Sequence, residues 1–380
     1  MSKAKTPYQK VEDSIRQMQC QLASEGRLLP AEALRDEYTK FSDLFGPERL
    51  REIGGRRLLS FFRTDLPNWL KAEERTPGQT VFGELDLMDG RGLGLWFDED
   101  EKCWMRFARR GEYVRGEQPH MRLTGSEALE VADAWRMQLR RAVDLVADLP
   151  EIVGDVVGQK LQDELEAQAP DVVGCPWGHK YLAMLFPGRI DQFHDDHWHS
   201  YMLIKCLEMP PRSARARPRG YLCAGRFARI SRELQMPMNH LCLSLEALFG
   251  PPHPYWLLET TAGEWKVFTS QGFIDLGWAP SWDPSGHRCA LAQLQWLARD
   301  LGDRDLIAAH HGRRVLGVAR VNGPYGHDES AIFSHRRPIR TLDVASSTLP
   351  KSDSRQSTSG VRRASFADML VVEEGAANWG

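Results

Sequence analysis

The densest concentration of reactive side chains is the run FHDDHWHS, which sets His194, Asp195, Asp196, His197 and His199 close together in the chain. Imidazoles and carboxylates at that density could ligate a hard or borderline metal ion. A bound ion would then permit hydrolysis of the nuclease or phosphoesterase kind. On a helix, His194 and His197 share a face and His199 falls off it, and the further imidazole nearby is a lone His179. The competing reading is a polar helix N-terminus whose acids complement the helix dipole. The spacing favours that second reading, because a zinc site needs four protein ligands, or three and a water. Cys175 and His179, in CPWGH, make an isolated C-x3-H that reads as packing. No GxSxG motif is present, and no cysteine lies in an evident reactive setting. Gly90, Gly92 and Gly94 belong to a hairpin-like turn with no GK[ST] after it, so they do not form a phosphate loop. The expectation is a non-catalytic chain, with no metal and no cofactor.

A second constellation lies further on. Trp256, Trp265, Trp278 and Trp282 fall in or beside short apolar runs, with His310, His311 and Tyr325 following. Indole rings at the mouth of a small barrel could sandwich a flipped nucleobase, each stack contributing about 1–3 kcal/mol. Any single one of them reads more readily as core, since large aromatics dominate cores; the four together, beside His310 and His311, favour the pocket. Arg313, Arg336 and Arg337 would then meet phosphates, with Arg215 and Arg217 in a separate basic run as further DNA contacts.

The whole-chain numbers set the bounds. The 380 residues predict two or three domains, and a net charge of −3 confines any nucleic-acid binding to local patches. The clearest patch runs from Lys205 to Glu233, where Arg212, Arg215, Arg217, Arg219, Arg226, Arg229 and Arg232 face only Glu208 and Glu233. The 7 cysteines are scattered without a CxxC pair, which predicts free thiols and a reducing compartment. A polar N-terminus and the lack of a long uncharged apolar run predict a cytoplasmic protein that does not enter the membrane.

The elements that must position these residues divide into blocks. Residues 1–150 read as a mixed α/β adaptor: helical stretches at Val11–Leu22 and Ala31–Phe45, strands and turns from Val81 to Phe107, then a long helix after Thr124. Residues 151–250 read as helical, with KYLAMLFP and WHSYMLIKCLEM each closed by proline, and a basic loop PPRSARARPRG before RFARISRELQM. Residues 251–345 change period. YWLLET, EWKVFTS, GFIDLGW, LIAAHH, RRVLGVARVN and PIRTLD are strand-length runs with one helix, CALAQLQWLARDLG, among them, which suits a small β-barrel. Residues 346–380 read as a Ser-rich linker and a short amphipathic segment, SFADMLVVEE. The fold class expected is multidomain α+β.

The motifs of the third block resemble the EVE-type, PUA-like domains that precede the motor in McrB-related modification-dependent restriction ATPases and GTPases. GEWKVF, GFIDLGW, GDRDLIAAHHGRRVLGVARVNGPYGHD and SHRRPIRTLD carry the resemblance, with Ala319 where that family has a second glycine and two extra residues between Gly302 and Asp305. FGPERLREIGGRRLLSFF and HKYLAMLFPGRIDQFHDDHWHSYMLIKCLEM are similar to regions ahead of that domain, where FHDDHWHS would cap a helix. The resemblance implies that residues 251–345 bind 5-methylcytosine, or a related modified base, flipped from double-stranded DNA. It makes the chain the specificity arm of an anti-phage restriction system. The AAA+ motor and nuclease would lie elsewhere, with oligomerisation through the motor. The rivals are a metal-dependent nuclease or phosphoesterase built on residues 194–199, and a protein scaffold without nucleic-acid binding.

Overall fold

The structure, a computed structural model, describes residues 11–71, 93–107, 120–151, 153–194, 196–211, 220–275, 293–327, 335–344, 347–351 and 361–376. The chain forms two compact units, one of Glu12–Ser200 with Pro211–Gly250 and one built on Tyr201–Pro210 with Pro251–Gly380. It is a mostly helical multidomain protein with a C-terminal mixed sheet.

The helical unit opens with α1 (Glu12–Ser24), α2 (Ala31–Phe45) and α3 (Pro47–Glu52). Next, α4 (Arg56–Ser60) passes through a π-turn at Phe61–Asp65 into α5 (Leu66–Lys71). A small antiparallel sheet follows, β1 (Leu95–Asp98), β2 (Cys103–Phe107) and β3 (His120–Leu123) in that order. The acidic turn between β1 and β2 forms because Asp98 Oδ1 accepts the N–H groups of Asp100 and Glu101, each at 3.0 Å.

α6 (Gly125–Ala147) begins at a capping box in which Thr124 and Glu127 satisfy each other's backbone N–H. Its buried residues, Ala128, Ala132, Trp135, Leu139, Ala142, Val143 and Val146, recur at three- and four-residue steps and make one face. Then come α7 (Asp155–Gln168), α8 (Pro170–Val173), α9 (Pro176–Leu185), α10 (Asp196–Lys205), α11 (Gly220–Glu233) and α12 (Met238–Phe249). The core gathers Phe41, Phe45, Phe61, Phe62, Trp135, Trp177 and Tyr181. α9 is buried on every side from Trp177 to Met184, so it carries His179 and Lys180 into the interior.

The second unit holds β4 (Tyr255–Glu259), α13 (Ala262–Gln271), β5 (Phe273–Asp275), β6 (Leu306–His311), β7 (Arg314–Val321), β8 (Gly326–His327), β9 (His335–Leu342), β10 (Val361–Arg363) and α14 (Phe366–Ala376). The sheet order is β10-β4-β6-β7-β9-β5, with β8 paired to β9; β4 and β6 run parallel and the other pairs antiparallel.

Two expectations are corrected here. The sheet is curled but is not a closed barrel, since its path ends at β10 on one side and β5 on the other. EWKVFTS, expected as a strand, lies in helix α13. Thr261 and Glu264 form a capping box there, and that local signal overrides the β-branched and aromatic content. The C-terminal segment is part of this unit. β10 pairs with Trp256–Leu258, and α14 buries Met369, Val372 and Glu373.

Candidate metal centre

Three consecutive pieces of the helical unit supply the site. His179 is the fourth residue of α9, His199 the fourth of α10, and Asp191 stands in the connection between them. Ile190 and Phe193, both fully buried, pin that connection, and the Phe193 N–H donates to Asp191 Oδ1 at 3.0 Å. Asp191 is thereby turned inward. His199 Nε2 lies 3.0 Å from Asp191 Oδ1. One donor atom from each of His179, Asp191 and His199 falls within 4.8 Å of the others, and all three side chains are buried.

Gly220, the first residue of α11, makes this closeness feasible. A Cβ there would stand 2.8 Å from His199 Cε1 and 3.2 Å from His179 Cδ2, so only glycine lets the helix end approach both rings. The Tyr221 ring lies 5.0 Å from that of His179, and Phe227 packs against Phe193 at 5.1 Å. His194 Nδ1 lies 3.2 Å from His179 Nδ1, which leaves the Nε2 of His179 as its remaining ring nitrogen. Among the described residues, His179 Nε2 and Asp191 Oδ2 are buried and have no hydrogen-bond partner. Polar atoms so placed are costly unless something else satisfies them.

The electrostatics suit a cation. Burial lowers the His179 pKa to about 3, the neighbouring imidazoles adding to the shift and the Asp191 carboxylate opposing it, so the ring is neutral and a lone pair is available. Burial pushes the Asp191 carboxyl up, but the His199 and His179 imidazoles and the Phe193 N–H outweigh it, and the net shift is downward. A cavity of ≈ 410 Å³ opens on the cluster, lined by His179, His194, His197 and His199 with Gln162 and Glu166. Cys175 also lines it, but burial first and Asp171 second push its thiol up, so it is not a poised thiolate.

The expectation of a non-catalytic chain is corrected by this cluster. Two imidazoles and a carboxylate buried together, with both imidazoles lining a cavity, make a candidate catalytic centre, and they replace the description of the chain as purely a modified-base recognition module. FHDDHWHS contributes one ligand-type residue, His199, and two cavity-lining ones, His194 and His197, while Asp195 lies outside the described residues.

The residues expected to read a base are distributed differently. Trp256 and Trp265 are both buried, in one apolar cluster with Leu258, Ile274 and Trp296. The Trp256 indole N–H donates to Asp305 at 2.8 Å. Gly317 makes room for the Trp265 ring, since a Cβ there would stand 2.4 Å from its Nε1. A second cavity of ≈ 410 Å³ is lined by Trp265, Lys266 and Arg314, but not by Trp256, His310 or Tyr325. His310 pairs with Glu259 at 3.0 Å, and Tyr325 meets His335 Nδ1 at 2.5 Å. The Arg313 Nε donates to the Leu349 carbonyl at 2.8 Å, Arg336 lies over the Phe273 ring at 4.8 Å, and Arg337 is buried. Trp278, Trp282, Arg215 and Arg217 lie outside the described residues.

No family model, curated protein or solved structure matches the chain, so the site is read from its own geometry. No helix among the described residues is long and apolar enough to cross a membrane.

Proposed function

We propose that the helical unit is a divalent-metal-dependent hydrolase of the phosphoesterase or nuclease class, its ion held by His179, Asp191 and His199. The observation that carries this reading is the burial of three ligand-type side chains with donor atoms within 4.8 Å of one another. Donors about 2.1 Å from a shared tetrahedral ion stand about 3.4 Å apart, so a separation of up to 4.8 Å closes with about 1.4 Å of movement at most. Two imidazoles and one carboxylate suit zinc, manganese or ferrous iron and leave positions open for water and substrate.

Such an ion lowers the pKa of bound water and polarises a phosphoryl oxygen. The protein's own residues supply the rest. Asp191 offers the negative charge that offsets a dication, and His179 is kept neutral by its burial. The Phe193 N–H fixes the carboxylate, and His194 contacts the outer nitrogen of His179 in the manner of a residue that orients a ligand imidazole. Glu166 is the carboxylate lining the cavity, available there to take a proton from an attacking water. In sequence, Gly220 follows directly on the arginines at 212, 215, 217 and 219, which supports an anionic substrate.

Elemental analysis of purified, metal-loaded protein tests this, alongside hydrolysis of aryl phosphate mono- and diesters. A stoichiometric ion, lost together with hydrolysis in His179→Ala and Asp191→Asn, is the expected result. Wild-type protein that retains no ion after loading would reduce the cluster to a buried polar network.

A further inference from the structure

Gln162 stands on the buried face of α7, in company with Gly158, Leu161 and Leu165. Packing alone would be served there by an apolar residue. Instead the position carries an amide, 5% exposed, on the wall of the cavity that His179 and His199 also line. Its Nε2 donates to Glu166 Oε1 at 2.8 Å, one helical turn further on. An ionised carboxylate accepts and does not donate, so the amide turns its NH2 to Glu166 and its oxygen elsewhere. That oxygen, Oε1, is buried and has no hydrogen-bond partner among the described residues. An amide oxygen left in this way is costly, and a donor from outside the chain relieves it.

We propose that this donor is the attacking water of the hydrolysis, seated between Gln162 Oε1 and the Glu166 carboxylate. The inference rests on the hydrolase reading and adds the residue that aims its nucleophile. A water molecule has two O–H groups to donate and lone pairs to attack with. Two acceptors side by side take up both O–H groups and leave a lone pair for the electrophile. Gln162 cannot remove a proton, so it holds its O–H group in place, while Glu166 removes the other. The water oxygen bonds to phosphorus as the P–O bond to the leaving group breaks. The electron pair of that bond goes with the leaving oxygen, which takes the proton back from Glu166. The NH2 end of the amide has its own part. Glu166 is an exposed residue, and the hydrogen bond from Gln162 sets its carboxylate beside the second acceptor. Gln162 is thus a positioning residue for both the water and its base.

The test uses the full chain, Mn²⁺ and an aryl phosphate diester. Gln162→Met keeps the length and volume of the side chain and removes the amide. Its kcat is expected to fall about 100-fold, with KM and bound Mn²⁺ unchanged. The melting temperature should hold or rise, because the unsatisfied oxygen is gone. Added to Glu166→Gln, the same change should slow the enzyme little further, since the two residues act as one unit. A crystal structure of metal-free wild type should show one water within hydrogen-bond reach of both Gln162 Oε1 and Glu166. A kcat in Gln162→Met equal to wild type, or losses that simply multiply in the double variant, overturns the role of Gln162 and leaves the hydrolase reading standing. So does a crystal structure with no water on Gln162 Oε1. A bridging water in a wild type that binds no Mn²⁺ and hydrolyses no diester overturns the hydrolase reading, and with it the water's part as nucleophile.

Discussion

His199 Nε2 stands 3.0 Å from Asp191 Oδ1, and the two side chains are 2% and 0% exposed. A contact this deep can be one edge of a coordination set or a polar pair sufficient in itself. Chelation separates the two. An ion supplied at about 100 times its Kd stabilises the folded state by about 2.7 kcal/mol. At about 2–4 °C per kcal/mol for a domain on the order of 200 residues, stripping the ion lowers the melting temperature by about 5–10 °C. Calorimetry should show that loss in wild type and none in Asp191→Asn. An equal response of both proteins to chelator would place the ion elsewhere.

Gly220 offers a probe that leaves every ligand in place. In Gly220→Ala the new methyl meets His199 Cε1 at 2.8 Å and His179 Cδ2 at 3.2 Å. Both rings belong to buried residues. Overpacking of this kind costs about 1–3 kcal/mol, and it pushes the two imidazoles off a common centre. Metal affinity should fall by about 10–100-fold, as when a residue supporting a ligand is lost. Equilibrium dialysis measures it; unchanged affinity would mean that the rings do not ligate together.

Much of the helical unit was legible because helices carry local signals. Thr124 followed by Glu127 gave the start of α6, and the proline after KYLAMLF marked the end of α9, whereas α10 stops at Lys205, short of the proline after KCLEM. α13 shows the limit of period alone. The Thr261–Glu264 capping box was present in the chain, yet Trp265, Val267 and Phe268 drew EWKVFTS towards a strand. The candidate centre was half visible. FHDDHWHS drew attention to His199, but spacing within that run counted against a site, and the residues the fold groups with His199 stand 8 and 20 positions upstream, at Asp191 and His179. No helical or strand period links such positions; the fold does, setting the His179 and His199 rings 5.2 Å apart. The tryptophans show a different limit. Composition cannot say which way an indole points, and Trp256 and Trp265 point into their own core.

Acid should weaken the second unit through His253. Its imidazole pKa is lowered from 6.5 to about 4, first by burial and then by the Lys205 ammonium, with the Pro251 carbonyl opposing. The Tyr201 hydroxyl, Arg320 and Glu373 also bear on it. Unfolding restores the ordinary value, so between about pH 6.5 and pH 4 the unfolded chain binds a proton that the folded chain refuses. The contribution is complete above the upper limit and is lost as pH falls through the window. Urea midpoints across that range should decline less steeply in His253→Gln than in wild type. Parallel curves would show that His253 does not carry the effect.

Lys205 and Glu373 pair at 2.7 Å with 4% and 7% of their side chains exposed, and Tyr255 donates its hydroxyl to the same carboxylate. The Lys205 ammonium also lies 5.3 Å from the centroids of the Tyr201 and Tyr255 rings. Removing one member of such a pair leaves a charge buried without its counter-ion, at a cost of about 3–5 kcal/mol. Replacing both by apolar side chains removes that charge, so the double change need cost far less. Chemical denaturation of Glu373→Ala, Lys205→Met and the combined variant closes the cycle. The expected outcome is a combined loss smaller than that of Glu373→Ala alone, since the carboxylate is what makes the buried ammonium tolerable and α14 supplies it. Simple addition of the two single losses would instead assign the stability to packing of the side chains and not to their charges.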